Sequence, residues 1–98
     1  MYISASTNEH CPVPTFEAMA CGKPLVLSEL ESHEEIVNAS KAGLTFSFSD
    51  VNDLCQKVHD VYERRDEFGE GAKKFIIDHS LDEFCKRVEG IYNKVLNP

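Results

Sequence analysis

The chain has 98 residues, which is enough for one small domain, and 42% of them are hydrophobic, as in ordinary globular proteins. Its net charge of −7 at neutral pH disfavours polyanionic partners, so we expect neither nucleic acid nor an anionic membrane surface to bind it. The sequence also lacks a secretory signal pattern and an apolar run of about 18 residues, which predicts a cytoplasmic protein with no membrane span.

The first third of the chain predicts two strands joined by a helix. Residues 2–6 form a short β-prone run, and residues 24–28 form an apolar run that is typical of a buried parallel strand. Between them we predict a helix that begins at Pro14, or after a Thr15 cap, because proline suits a first helical position. The Gly22-Lys23-Pro24 sequence ends this helix, since glycine accepts a left-handed conformation and proline cannot continue a helix. The side chains expected to face the core are Phe16, Met19 and Ala20.

The rest of the chain predicts one more strand and then helices only. A short helix over residues 33–37 precedes a third strand at 44–48, and this alternation predicts a parallel α/β sheet of about three strands. Asp50 is a suitable cap for a helix with an apolar stripe, a second helix covers about 66–78, and Ser80 begins a capping box for a third. The stripe of the first of these helices comprises Val51, Leu54, Cys55, Val58, Val61 and Tyr62.

Two carboxylates flank the loop that leads into the first helix. Glu9 lies eight positions before Glu17. Free N–H groups at a helix start favour an anion such as phosphate, and carboxylates favour ligands with several hydroxyl groups. A ligand that carries both features is a nucleotide sugar. The plainer alternative is that Glu17 complements the helix dipole and that Glu9 is a solvated loop residue.

The string from residue 9 to residue 24 resembles the E-x7-E motif of retaining glycosyltransferases of the GT-B fold, in particular family 4. Residues 33–37 and 42–44 are similar to the next two blocks of that family, so the resemblance covers essentially the whole chain. One departure is Cys11-Pro12, where many members carry Phe-Gly, and Pro12 has no N–H to donate. The matching motif residues are Ser6, Glu9, Pro14, Glu17, Ala18, Met19, Ala20, Gly22 and Pro24.

The resemblance implies transfer of a hexose from a nucleotide diphosphate sugar to an acceptor hydroxyl, with the anomeric configuration retained. It places Glu9 at the reaction centre, holding hydroxyls of the transferred sugar, and Glu17 on the ribose hydroxyls of the nucleotide. Other residues implied in binding the nucleotide sugar are His10, Cys11, Val13 and Thr15. Neither a metal nor another cofactor is expected, and the four cysteines show no metal-ligand spacing.

The resemblance also implies a partial domain. Residues 1–98 correspond to the second half of a Rossmann-like nucleotide-sugar-binding domain, so we expect the chain to be inactive alone and to pair with the missing N-terminal domain or with itself. One alternative is a non-catalytic interaction domain or gene remnant with the same half-fold. Another is a different nucleotide-binding α/β module, which the absence of a G-x-G-x-x-G sequence disfavours.

Overall fold

A computed structural model describes residues 1–8, 13–79, 89–91 and 93–95. Its sheet has three parallel strands in the order β1-β2-β3, namely β1 (Tyr2–Ser4), β2 (Leu25–Ser28) and β3 (Gly43–Phe46). Ile3 pairs with Val26 in this register, and Val26 pairs with Leu44. The predicted α/β class with about three parallel strands is therefore confirmed, although β1 and β3 are shorter than their apolar runs suggested.

Within residues 13–79, four helices surround this sheet: α1 (Val13–Ala20), α2 (Glu31–Ser40), α3 (Val51–Glu63) and α4 (Arg65–Asp78). The central strand β2 is fully buried and divides the core, because successive side chains of a strand point to opposite faces. One core cluster contains Leu25 and Leu27 with buried residues of α1, α2 and α4. The other contains Val26 with Val61 of α3 and Phe68 of α4. The predicted buried parallel strand is confirmed by this three-layer arrangement.

The helix boundaries follow local backbone chemistry. Gly22 has φ = 71° after α1, as predicted for a helix stop, and its N–H donates to the carbonyl oxygen of Met19 at 2.9 Å. Asp50 caps α3, because its side chain accepts a hydrogen bond from the backbone N–H of Asp53 at 2.9 Å. Lys41 ends α2 with φ = 55°, a left-handed conformation that only a few per cent of non-glycine residues adopt.

Two glycines let α4 lie against the ends of α1 and α2. A Cβ atom on Gly69 would lie 2.7 Å from the carbonyl oxygen of Gly22, and one on Gly71 would lie 2.7 Å from that of Lys41. Such contacts are too close for any larger residue, so helix α4 has small residues where the chain turns from α1 into β2 and from α2 into β3. Helix α4 therefore covers the amino ends of these strands and leaves their carboxyl ends uncovered.

Some sequence predictions were wrong. Helix α2 begins at Glu31 and ends at Ser40, which makes it longer than the predicted 33–37. Val51, Cys55 and Tyr62 are exposed instead of contributing to the core, because α3 packs on the sheet through the narrower face of Leu54, Val58 and Val61. Ala20 is exposed as well, whereas Met19 is fully buried as predicted.

The predicted third C-terminal helix lies mainly outside the described residues, including its capping box at Ser80. Residues 89–91 and 93–95 are helical, and two members of the predicted apolar stripe, Ile91 and Val95, are 62% and 70% exposed. No helix in the described ranges has the length and apolar character needed to cross a lipid bilayer.

Candidate functional site

The carboxyl ends of the three strands lie at one edge of the sheet, because all strands are parallel. Helix α2 follows β2 directly at this edge, and α3 follows β3. Helix α1 also begins here, since it must run back toward the amino end of β2. In open α/β sheets, ligands bind in the crevice outside the carboxyl ends of the strands, where helix N-termini present free N–H groups. This edge is therefore the candidate site.

Part of the predicted motif lies outside the described residues. Glu9, His10, Cys11 and Pro12 belong to this part, so the separation between the Glu9 and Glu17 carboxylates is not defined. The described part of the motif begins with helix α1 at Val13. The roles assigned to Glu9, His10 and Cys11 in binding and catalysis therefore stay predictions.

The first turn of α1 presents backbone groups more than side chains. Val13 is 51% exposed and begins the helix, which puts Pro14 at the second helical position instead of the first. Thr15 as a whole residue, backbone included, is only 1% exposed, so it is packed within the protein. Amides of a first helical turn have no intrahelical partner, and those of Val13 and Thr15 flank the proline. Of these two residues, Val13 is the one with surface open to a ligand at this edge.

Glu17 is the fifth residue of α1 and is exposed. Its carboxylate makes no hydrogen bond or ion pair with any residue in the described part of the chain. The plainer interpretation, a charge that complements the helix dipole, is weakened because Glu17 lies one residue beyond the first turn. Its acceptor oxygens are thus available to hydroxyl groups of a ligand.

A buried polar network joins β2 to α2 and to the segment after β1. His33, in the first turn of α2, has no exposed surface, and its Nδ1 lies 2.9 Å from the carbonyl oxygen of Ser28. The Ser28 hydroxyl lies 3.3 Å from the same Nδ1 and donates a hydrogen bond of 2.6 Å to the carbonyl oxygen of Ser6. This network fixes the backbone of Ser6, three residues before Glu9.

Sequence reasoning did not find this network. It predicted a helix that begins at residue 33, two residues later than the observed start of α2. Because α2 begins at Glu31, His33 lies in its first turn, and its ring contacts Ser28 at the end of β2. A serine at the end of an apolar strand, five residues before a histidine in a helix start, was the available signal.

The candidate edge is acidic. The exposed carboxylates of Glu17, Glu29, Glu31, Glu34 and Glu35 lie on the segments that reach it. Lysine and arginine are absent from residues 1–19 and 24–40 of the sequence, while Lys23 and Lys41 lie at the opposite end of the sheet, beyond α1 and α2. Cationic groups for a diphosphate would have to come from another part of the molecule. The described residues contain no group of three or more side chains suited to a metal ion.

Comparisons with known proteins give one positive finding. The family model for "Glycosyl transferases group 1" matches residues 1–75, which include all three strands and helices α1, α2 and α3. Searches of curated proteins and of solved structures gave no match. The match covers the candidate edge and the motif in full.

Proposed function

The chain belongs to the group 1 glycosyl transferases, and on that premise we propose that it is the nucleotide-sugar-binding part of a retaining, family 4 enzyme of the GT-B fold. The reaction is transfer of a hexose from a nucleotide diphosphate sugar to an acceptor hydroxyl. The bond between the sugar and the diphosphate breaks, a new glycosidic bond forms with the same configuration, and the nucleoside diphosphate leaves. We expect the protein to act in the cytoplasm without a metal or another cofactor.

The observation that carries this proposal is the position of Glu17. The family match includes it, its carboxylate is exposed and unpaired within the described structure, and it projects from a helix that begins at the carboxyl edge of a parallel sheet. A carboxylate accepts two hydrogen bonds from vicinal hydroxyls well, because it offers two acceptor oxygens and no competing N–H. We assign Glu17 to the ribose hydroxyls of the nucleotide.

The remaining assignments follow the E-x7-E resemblance. Glu9 is assigned to hydroxyls of the transferred hexose, next to the reaction centre. The groups assigned to the hexose and diphosphate are His10 and the backbone N–H groups of Cys11, Val13 and Thr15. Oriented N–H groups at a helix start stabilise negative charge that develops on a leaving diphosphate.

The proposal requires further parts that the described residues do not supply. Within the described residues, the segments at the carboxyl edge carry no lysine or arginine for the diphosphate. We propose that a separate N-terminal glycosyltransferase domain supplies these cations and a second wall for the cleft. Strand β1 lies at the edge of the sheet with Ile3 48% exposed, so the remaining strands of the domain would pair there.

The same exposed edge favours a second candidate function. A half-fold whose edge strand has one free side can act as a non-catalytic interaction domain that adds its sheet to a partner. An interaction domain of this kind would bind its partner through strand β1 and would not require the Glu17 carboxylate. Measurements of nucleotide binding therefore separate the two functions.

The test is the affinity of the full chain for UDP, GDP and ADP, measured by titration of amide resonances. We expect a dissociation constant no tighter than ~0.1–1 mM for the preferred nucleotide, because cationic phosphate ligands are missing. Glu17→Gln should weaken binding by about 1–3 kcal/mol, since one ribose hydroxyl then faces an N–H instead of a lone pair. Glu9→Gln should have a smaller effect on free nucleotides, because its assigned partner is the sugar.

Glu70→Gln is the matched control. Glu70 is an exposed glutamate of α4, a helix at the other end of the sheet, with its carboxylate 3.7 Å from Lys73 Nζ. This variant should bind like the wild type. Equal affinity of Glu17→Gln and wild type would remove the nucleotide assignment and favour the interaction domain.

A further inference from the structure

Among the described residues, the imidazole of His33 has hydrogen-bond partners at one nitrogen only. The side chain is fully buried, Nδ1 lies 2.9 Å from the carbonyl oxygen of Ser28, and Nε2 has no hydrogen-bond partner in the part of the chain that the structure describes. Leaving a buried polar atom unpaired costs stability, and such atoms are uncommon in native proteins. The arrangement therefore requires an explanation beyond core packing.

The neighbouring groups determine which nitrogen carries the proton. The carbonyl oxygen of Ser28 can only accept, so a contact of 2.9 Å requires a proton on Nδ1. The Ser28 hydroxyl has a single proton, which it donates to the carbonyl oxygen of Ser6 at 2.6 Å, so it too can only accept from Nδ1. Both contacts require a proton on Nδ1, and the neutral imidazole carries only one ring proton. Nε2 then carries a lone pair and is an acceptor without a donor.

The position of this acceptor connects it with the candidate site. His33 belongs to the first turn of α2, and the N-cap residue Leu30 provides no side-chain hydrogen bond to this helix start. Through Ser28 its ring is linked to Ser6, the residue that begins the motif segment leading to Glu9 and α1. His33 thus lies where α2, β2 and Ser6 meet.

We propose that His33 is a positioning residue of the nucleotide-sugar site, whose Nε2 accepts a hydrogen bond from an O–H or N–H group that reaches it only when a nucleotide sugar binds. This inference rests on the proposed function. The group is either a hydroxyl of the ligand or an amide of the chain that the ligand brings into contact. Binding would then pair the buried acceptor, and the hydrogen bonds through Ser28 would hold Ser6 in one position.

Ring ¹⁵N spectra of the full chain with labelled histidine test both halves of the proposal. In the free protein we expect His33 as the Nδ1–H tautomer with an unprotonated Nε2. On saturation with a nucleotide sugar, the Nε2 resonance should move in the direction of hydrogen-bond acceptance. His59, an exposed histidine of α3, is the internal control and should not move.

The choice of ligand identifies the source of the hydrogen bond. A shift that appears with UDP-, GDP- or ADP-hexose, and not with the nucleoside diphosphate alone, assigns the group to the sugar. A shift that is complete with the diphosphate alone assigns it to the ribose or to an amide of the chain. Both results support the proposal.

Two substitutions separate positioning from folding. His33→Asn keeps an N–H that can donate to Ser28 and removes the acceptor, so it should bind the nucleotide sugar about tenfold more weakly. His33→Gln can place its amide oxygen near the position of Nε2 and should recover most of this loss. His59→Asn should bind like the wild type. If either His33 variant fails to fold, the ring spectra of the wild type still decide the question.

Three results would overturn the inference. A protonated Nε2 in the free protein would exclude the assigned tautomer. An unchanged Nε2 resonance, while amides around Glu17 shift on binding, would overturn the role of His33 and leave the proposed function intact. If no resonance responds to any nucleotide sugar, the proposed function fails and this inference fails with it.

Discussion

Asp53 joins the end of β3 to the first turn of α3. Its Oδ2 accepts a hydrogen bond of 2.8 Å from the backbone N–H of Ser47, and its Oδ1 lies 3.1 Å from Lys57 Nζ. The Ser47 hydrogen bond, and after it the Lys57 ammonium, hold the pKa of the Asp53 carboxyl below its usual value. Both contacts favour the ionised form, so the native state binds a proton at this site less readily than the unfolded chain.

The sign of this shift predicts how stability depends on pH. A depressed pKa contributes stability that is fully present above the unfolded value of about 3.9 and is lost as the pH falls through the native value. Asp53→Asn should therefore be less stable than the wild type at neutral pH, and the difference should shrink below about pH 4. Urea denaturation of both proteins over a pH series measures this. If the difference in unfolding free energy between the two proteins stayed constant into strong acid, the stabilising role of the ionised Asp53 would be contradicted.

Single residues differ in how far sequence determines their role. The Asp50 cap and the left-handed Gly22 were predicted correctly, because each depends on a few neighbouring residues and on backbone chemistry. The burial of His33 was not predicted, because it depends on the exact start of α2 and on a serine from another element. The exposure of Glu17 agrees with a binding role, and the role itself stays a proposal.

At the scale of elements, the packing of α4 depends on its glycines. Replacing Gly71 by alanine should gain about 1 kcal/mol of helix propensity. The new Cβ, however, would lie 2.7 Å from the carbonyl oxygens of both Ser40 and Lys41. Backbone atoms at the end of α2 cannot move cheaply, and such overpacking costs about 1–3 kcal/mol. We expect a net loss of stability and a displaced α4.

Gly90→Ala is the matched control for this prediction. Gly90 is also helical, and a Cβ there would have no atom within 4 Å. This variant should be neutral or stabilised by up to about 1 kcal/mol. Free energies of unfolding of both variants, measured in urea, test this prediction. A Gly71→Ala protein at least as stable as Gly90→Ala would mean that α4 does not pack closely against the end of α2.

Element boundaries were harder to predict than element types. All three strands and the helices up to residue 78 were expected from periodicity and stop signals, and all are present. The extension of α2 to Ser40 was missed because Lys41, not glycine, ends the helix. The number of α3 residues in the core was overestimated. Periodicity shows which residues share a face, and it cannot show how much of that face the sheet covers.

At the scale of the whole molecule, the free edge of the sheet predicts a low free energy of unfolding for the isolated chain. Strand β1 is an edge strand of the described sheet, with Ile3 exposed within it and Met1 exposed just before it. An edge strand offers backbone groups to a neighbouring chain. We predict that the isolated chain is marginally stable or self-associates, and that it does not transfer sugar. Sedimentation, thermal melting and a transfer assay measure these properties. A monomer that melts cooperatively at high temperature, or that turns over a common nucleotide sugar, would contradict the partial-domain account.

The central claim is that a nucleotide sugar binds at the carboxyl edge of the sheet, and a map of amide chemical shifts tests it most directly. The full chain is titrated with UDP, GDP and ADP and then with the matching nucleotide sugars. We predict that the largest shifts fall in residues 13–17 and 28–33, at the starts of α1 and α2. Shifts confined to α4 and to the amino ends of the strands, or no shifts with any of these ligands, would contradict the claim.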